Sequence, residues 1–336
     1  MLSGKRILVT GATGLIGSSL VCRLLNEGAQ VIAMGRNMSK LERVFKDQLS
    51  AENLRCYEGN AAAGLSDELA ELDYIFHAAS PISGNEIKSR PVDTIASNID
   101  GTRNCLEFLK DQKEKTGKNG RLIIFSSATV YGTAPDEKKT VSEDDTDLAD
   151  KLSAGAVAYS ESKRMTEVLA GAYFKQYNVD AVIVRLSYVY GYSEEMPATA
   201  FYEFIKCAVN GEDITINAAK MSRRDNIYLD DALDGLLCAA RNGISGEAYN
   251  ISSGGKAGGY ASASELAEII ADSANKFLGC NIRVRYPNGS CEQLPGIILD
   301  NSKAESIGFC INTPLAEGIG AIVEKYILRK SRNRDE

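Results

Sequence analysis

Apolar and polar positions follow two alternating rhythms through the first half of the chain. Arg6–Thr10 is a short β-branched run of the kind found in buried strands, and the stretch after it places Ile16, Leu20, Leu24 and Leu25 on one helical stripe. Gly28 ends that helix, and residues 30–34 read as the next strand. Further strands are predicted at 54–57, 74–76, 121–126 and 181–186, separated by helices at 40–49, 65–69, 91–112 and 156–177. Such alternation over about 180 residues predicts an α/β fold with a parallel sheet covered on both faces. Beyond residue 186 the rhythm loosens, with helices at 198–209 and 230–241 among short strands at 214–216, 248–251 and 282–286. Residues 110–120 read as a solvated turn, the acidic stretch 134–151 as a loop or lid, and 329–336 as a frayed charged tail.

Composition narrows the function classes. At 336 residues the chain exceeds one ordinary core and fits two domains, or one large domain with a cap. Its 38 basic and 45 acidic residues leave a net charge of −7, which argues against a nucleic-acid partner. The single histidine, His77, makes a two-histidine metal site impossible, so no metal centre is expected, and a Ser-His-Asp triad would have to recruit this one residue. A packed structural role suits it better. The eight cysteines form no Cys-x-x-Cys pair and sit in apolar segments, as buried free thiols of a reducing compartment do. No stretch approaches a membrane span or a signal peptide's apolar core, so a cytoplasmic location is expected.

The chemistry starts at the first strand's end, with Thr10-Gly11-Ala12-Thr13-Gly14-Leu15-Ile16-Gly17. A glycine-rich strand-to-helix turn lets backbone N–H groups approach a pyrophosphate at the helix's positive end. Gly11, Thr13, Gly14, Leu15, Ile16 and Gly17 are therefore candidate cofactor contacts. Dinucleotide folds that bind NAD carry an acid at the second strand's end for the ribose 2′-hydroxyl. Here that place holds Arg36, with Lys40 following, a pair suited to a 2′-phosphate. The expected cofactor is NADP(H) in preference to NAD(H).

Tyr159 and Lys163 stand at i and i+4 on a predicted helix, where an ammonium can lower a phenol's pKa and fit it for general acid/base work. The spacing alone is weak evidence, because Tyr202/Lys206 and Tyr326/Lys330 share it. Position singles out Tyr159. Its helix follows the strand ending in Ser126-Ser127, whose serines fall at the carboxyl edge where parallel sheets bind ligands. The other two pairs read as surface or half-buried pairs on amphipathic helices.

Together these segments resemble the extended short-chain dehydrogenase/reductase family, in particular its nucleotide-sugar epimerases, dehydratases and ketoreductases. The ordered matches are the turn at 11–17, Phe76-His77-Ala78-Ala79, Asn98-Ile99-Asp100-Gly101-Thr102, residues 126–132, 159–163, 185–191 and 224–231, and Asp300-Asn301-Ser302-Lys303. The resemblance implies a Rossmann-type doubly wound sheet over 1–186, with 227–252 returning to it. A smaller mixed α/β cap for substrate would comprise 187–226 and 253–330, leaving 331–336 as a tail. It implies Ser127, Tyr159, Lys163 and a supporting Asn98 as the catalytic set. Asn60, Ala78, Ala79 and Ser126 would join Tyr159 and Lys163 along the cofactor, and Ser80, Ser127, Tyr188 and Arg224 would meet the substrate. It also implies a homodimer formed through a four-helix bundle of 91–112 and 156–177.

Departures from the family pattern restrict the reaction. Ala128 and Thr129 replace the Asp-Glu pair of 4,6-dehydratases, and decarboxylases also favour a Glu at the second place, so both reactions lose support. Tyr188 replaces a common Asn, and Ser290-Cys291-Glu292-Gln293 replaces a segment carrying a second phosphate-binding arginine, which Arg283 or Arg285 would have to supply. The leading expectation is a nucleotide-sugar epimerase or ketoreductase that transfers hydride reversibly at a sugar carbinol, C4 above all. The alternatives are a reductase of a non-sugar carbonyl and a non-catalytic dinucleotide sensor or scaffold.

Overall fold

A computed structural model describes residues 2–69, 71–81, 84–132, 139–145 and 151–335. Seven parallel strands form the central sheet: β1 (Arg6–Thr10), β2 (Gln30–Gly35), β3 (Leu54–Glu58), β4 (Tyr74–His77), β5 (Arg121–Ser127), β6 (Asp180–Leu186) and β7 (Ala248–Ile251). Their spatial order is 7-6-5-4-1-2-3. The order reverses direction between β1 and β4, so a crevice opens at the carboxyl ends of those two strands.

The sheet is apolar on both faces because it is covered on both. Ile7, Val9, Ile123, Phe125, Val182 and Val184 point to one core with helix α1 (Leu15–Asn26). Their neighbours Leu8, Leu122, Ile124, Ala181 and Ile183 point to a second core. Two long helices supply that second core, α3 (Pro91–Thr116) through Cys105, Leu106 and Leu109, and α4 (Val157–Tyr177) through Ala170. On the α1 side lie α2 (Met38–Val44), through Leu41, and α6 (Leu229–Asn242), packed with α1 and β6, while α5 (Ala200–Asn210) follows β6 along the chain. A third core joins α5 to α7 (Ala263–Leu278) and α8 (Leu315–Asp335) through Ile205, Ile270, Ile319 and Val323. It packs beside a small sheet of Tyr188–Tyr190, Arg224–Tyr228 and Tyr260–Ala261.

Several local expectations are corrected. The helix predicted at 65–69 is replaced by two 3-10 turns, Ala61–Ala63 and Asp67–Leu69, because Gly64 at φ 115° breaks the path between them. Residues 40–49 are helical only through Val44, from an Asn37 cap that accepts a bond from the Lys40 amide. Much of 110–120 is helix, since α3 continues to Thr116 and ends on Gly117 in the left-handed region. The acidic stretch contributes to a core: Lys139–Val141 pairs with Ile297–Leu299, and Val141 is fully buried beside Tyr131. The remainder of that stretch, 134–138 and 146–150, lies outside the described residues. All eight cysteines are free thiols, but only Cys105 is buried, while Cys280 and Cys310 are exposed.

Candidate active site

The crevice is built where Thr10 and His77 stand in register at the ends of β1 and β4. His77 is buried, its Nδ1 2.8 Å from the Thr10 hydroxyl, and desolvation pushes its pKa down to about 3. It is a neutral packing residue, as expected. Gly11 adopts φ +65°, and a Cβ there would lie 2.7–2.8 Å from the backbone of Ala78 and Ala79. At Gly17 a Cβ would strike the Gly11 carbonyl oxygen at 2.3 Å. Packing explains both glycines. It does not explain Gly14, where a Cβ would meet only the Gly11 oxygen, at 3.5 Å. Gly14 caps α1 without a side chain, and the first turn holds no acid, so the Leu15 and Ile16 amides keep their positive end facing the crevice. This cradle fits a dinucleotide pyrophosphate. The Thr13 methyl packs toward Gly35 at the end of β2, 3.4 Å from where a Cβ there would stand.

At the next strand edge, β5 ends in Ser126 and Ser127. Tyr159 stands near the start of α4, with Ser127 and Ser80 among its polar neighbours. Burial pushes its phenol above the usual value, Ser127 and Ser80 pull it back, and Tyr188 nearby adds to the rise. The expectation that Lys163 lowers the tyrosine's pKa is therefore corrected. Its Nζ lies 5.8 Å from the ring centroid and donates to the Phe125 carbonyl at 2.6 Å. Lys163 is itself buried, and desolvation brings its pKa down to about 8 despite Glu167. Asn98 is buried and ties the site together. It accepts from Ser80 at 2.7 Å and donates to Ser162 at 2.9 Å, and Ser162 in turn donates to the Tyr159 carbonyl.

Sequence reasoning missed the support behind this constellation. Glu167, one turn after Lys163, receives bonds from Ser126 and from two nitrogens of Arg185. Arg185 also donates to the Tyr131 hydroxyl and the Glu143 carbonyl, and Tyr131 donates to Asn250. The Lys163–Glu167 spacing of i, i+4 was the available signal.

The other two Tyr-x-x-x-Lys pairs are half-buried, one of the two placements expected for them. Tyr202 and Tyr326 are buried in the third core, their hydroxyls bonded to the carbonyls of Gly191 and Ser193. Lys206 is exposed, and Lys330 reaches Val209 and Asn210. On the substrate side, Arg224 lies 4.2 Å over the Tyr188 ring, which is 43% exposed. Arg285 is committed to Asp213 on an outer two-stranded sheet, and Arg283 follows on the same edge through its amide. Gln293 bonds Ser264. Beside the glycine turn, Arg36 is exposed and has no partner among the described residues, whereas Lys40 is ion-paired with Glu195. Asn60 caps the Ala61–Ala63 turn.

A family model described as the NAD dependent epimerase/dehydratase family matches residues 7–252. The chain belongs to this family. Among its curated relatives, UDP-glucuronic acid decarboxylase 1 from Danio rerio is 29% identical over 72% of this chain, which spans only 55% of that relative. A dTDP-glucose 4,6-dehydratase from Streptomyces venezuelae, solved with NAD bound, is 25% identical with a TM-score of 0.74, covering 98% of both chains. UDP-glucose 4-epimerase from Thermotoga maritima shares the fold at 24% identity and a TM-score of 0.75, covering 97% of this chain and 99% of that one. The α/β fold and the family expected from the motifs are both borne out. Among the described residues no helix is long and apolar enough to cross a membrane.

Proposed function

We propose that this family member is a nucleotide-sugar oxidoreductase that works by reversible hydride transfer at a sugar carbinol, C4 in the first instance, as an epimerase or a ketoreductase. The observation that carries the reading is the gathering of Tyr159, Ser127, Ser80 and a buried Lys163 at the carboxyl edge of β5, with Lys163 Nζ 5.8 Å from the Tyr159 ring. Bound on the glycine turn, a nicotinamide dinucleotide supplies the hydride donor or acceptor. Tyr159 exchanges the proton of the sugar hydroxyl at its Oη, and the Ser127 hydroxyl, whose own oxygen accepts the Thr129 amide, donates to the phenolate when the proton has left. Lys163 offers an ammonium toward the cofactor ribose, and Asn98 fixes Ser80. Ser126, Ala78 and Ala79 complete the cofactor wall.

Arg224, whose guanidinium lies 4.2 Å from the Tyr188 ring centroid, suits the substrate's phosphate. Arg36 supports NADP(H) over NAD(H). The cap assignment of 187–226 and 253–330 follows, because that region contributes Tyr188 and Arg224. A homodimer through α3 and α4 is supported by their exposed apolar side chains Val92, Ile95, Met165 and Val168.

Decarboxylation is the competing reading, favoured by the Danio rerio relative's name. Ala128 and Thr129 oppose it and oppose 4,6-dehydration, since neither carries a carboxylate in the 3-10 turn after Ser127. The test is incubation with NADPH or NADP⁺ and a panel of nucleotide-linked 4-keto sugars, 4-hydroxy sugars and uronic acids. NADPH consumption marks a reductase, and isomer exchange without consumption marks an epimerase. Release of CO₂ from a uronic acid would replace this proposal with the competing one.

A further inference from the structure

We propose that Glu195 is a specificity-determining residue for the cofactor, its carboxylate occupying the cationic pair that a ribose 2′-phosphate would otherwise engage. The proposal rests on the 2′-phosphate reading of Arg36 given above. Lys40 and Arg43 stand one turn apart on α2, the helix that follows the end of β2. The Glu195 carboxylate bridges both, with Lys40 Nζ 3.4 Å from Oε2 and Arg43 Nη2 on Oε1. A single acid from another part of the chain thus already acts as the anion of this edge.

Glu195 is held there from behind. The Ser193 carbonyl accepts from the Tyr326 hydroxyl at 2.7 Å, and the Ser193 amide donates to the same oxygen. Arg329 donates to the Glu194 carbonyl at 2.7 Å and pairs with its carboxylate at 3.1 Å, while Tyr192 packs on Tyr326 with ring centroids 4.7 Å apart. Residues 192–195 are therefore anchored on α8, and Glu195 reaches from that anchor to α2. A second acid, Glu58, accepts the Met38 amide at the start of α2. Lys40 and Arg43 are thus both matched by Glu195, whereas Arg36 has no partner among the described residues.

A 2′-phosphate carries more charge than a carboxylate and offers three acceptors, so it competes for Lys40 and Arg43 by displacing Glu195. A ribose bearing only hydroxyls has no group to displace it. Glu195 consequently opposes NADPH and leaves NADH alone. The three side chains of the bridge are 41%, 65% and 52% exposed for Lys40, Arg43 and Glu195, which keeps the exchange reversible.

The experiment is calorimetric titration of the full chain with NADPH and NADH, for the unaltered protein, Glu195→Gln, Lys40→Gln and Arg36→Ala. Glu195→Gln should tighten NADPH about three- to tenfold and leave NADH within about twofold. Lys40→Gln breaks the same ion pair but should weaken NADPH, an opposite sign that a merely structural bridge would not give. Unchanged NADPH binding in Glu195→Gln overturns the proposal. So does a selective loss of NADH, which would make Glu195 the acid that meets the ribose hydroxyl. Equal losses of both cofactors in Arg36→Ala overturn the 2′-phosphate reading and Glu195's role with it; a selective loss there beside an unaffected Glu195→Gln overturns Glu195's role alone.

Discussion

The carboxyl edges of β5 and β2 belong to one sheet and are built in opposite ways. At β5 the polar groups are buried or half-buried and bonded to one another: Ser80, Asn98 and Ser162 form one chain, and Ser126, Glu167 and Arg185 form another. At β2 long cationic side chains stand in solvent, and among the described residues nothing holds Arg36. On the proposed function, the difference separates two tasks. Proton transfer needs a fixed oxygen whose pKa is set by its surroundings, which only a preorganised, desolvated network provides. Choosing between two cofactors needs only a difference in charge at one corner, which exposed side chains supply at little structural cost.

The contrast breaks most decisively at the phenol. Tyr159→Phe should lower turnover about 10²–10⁴-fold while leaving cofactor affinity within about twofold, as read by steady-state rates and titration. Near-normal turnover would remove Tyr159 from the mechanism. Asn98→Ala comes next, because it strips a buried donor and acceptor from Ser162 and Ser80 at once. A stability loss of about 1–3 kcal/mol in urea unfolding is expected, with a fall in kcat; an unchanged midpoint would show that the network is not held as described.

A similar loss, but of affinity alone, is expected at the other edge. Arg36→Ala should weaken NADPH about tenfold and NADH hardly at all, with no change in unfolding midpoint. The smallest effect is a pH dependence. Lys163 is a cation whose pKa burial has lowered to about 8, so its ammonium is present below that pH and discharged above it. Cofactor binding should weaken as pH rises through about 8, and Lys163→Met should be weaker throughout but flat over the same interval. A slope that persists in the variant would assign the titration to another group.

The sheet was legible because its inner strands are short, nearly continuous apolar runs, such as Ile7-Leu8-Val9 and Ala181-Val182-Ile183-Val184, a pattern that two-sided burial requires. Helix ends were less so. Val44 and Thr116 are set by caps and neighbouring packing rather than by periodicity. Position along the fold picked Tyr159 from three identical spacings, a choice that spacing could not make. The partners of these residues were hidden for a plain reason: Glu167 meets Arg185 18 residues on, and Lys40 and Arg43 meet Glu195 more than 150 residues on. Only folding brings such pairs together, and no local pattern marks them. Val141 was misread because an acidic neighbourhood outweighed one apolar side chain that pairs and packs with Ile297–Leu299.

The central claim is that hydride leaves and returns at a sugar carbinol while Tyr159 handles the proton. Nucleotide-linked hexoses carrying deuterium at C4 test it directly, with the unaltered protein and Tyr159→Phe compared by mass spectrometry of cofactor and sugar. The account predicts deuterium passing into the nicotinamide with the unaltered protein and staying on the sugar with the variant. Equal transfer in both, or turnover of a uronic acid with loss of CO₂ in place of it, would contradict the account.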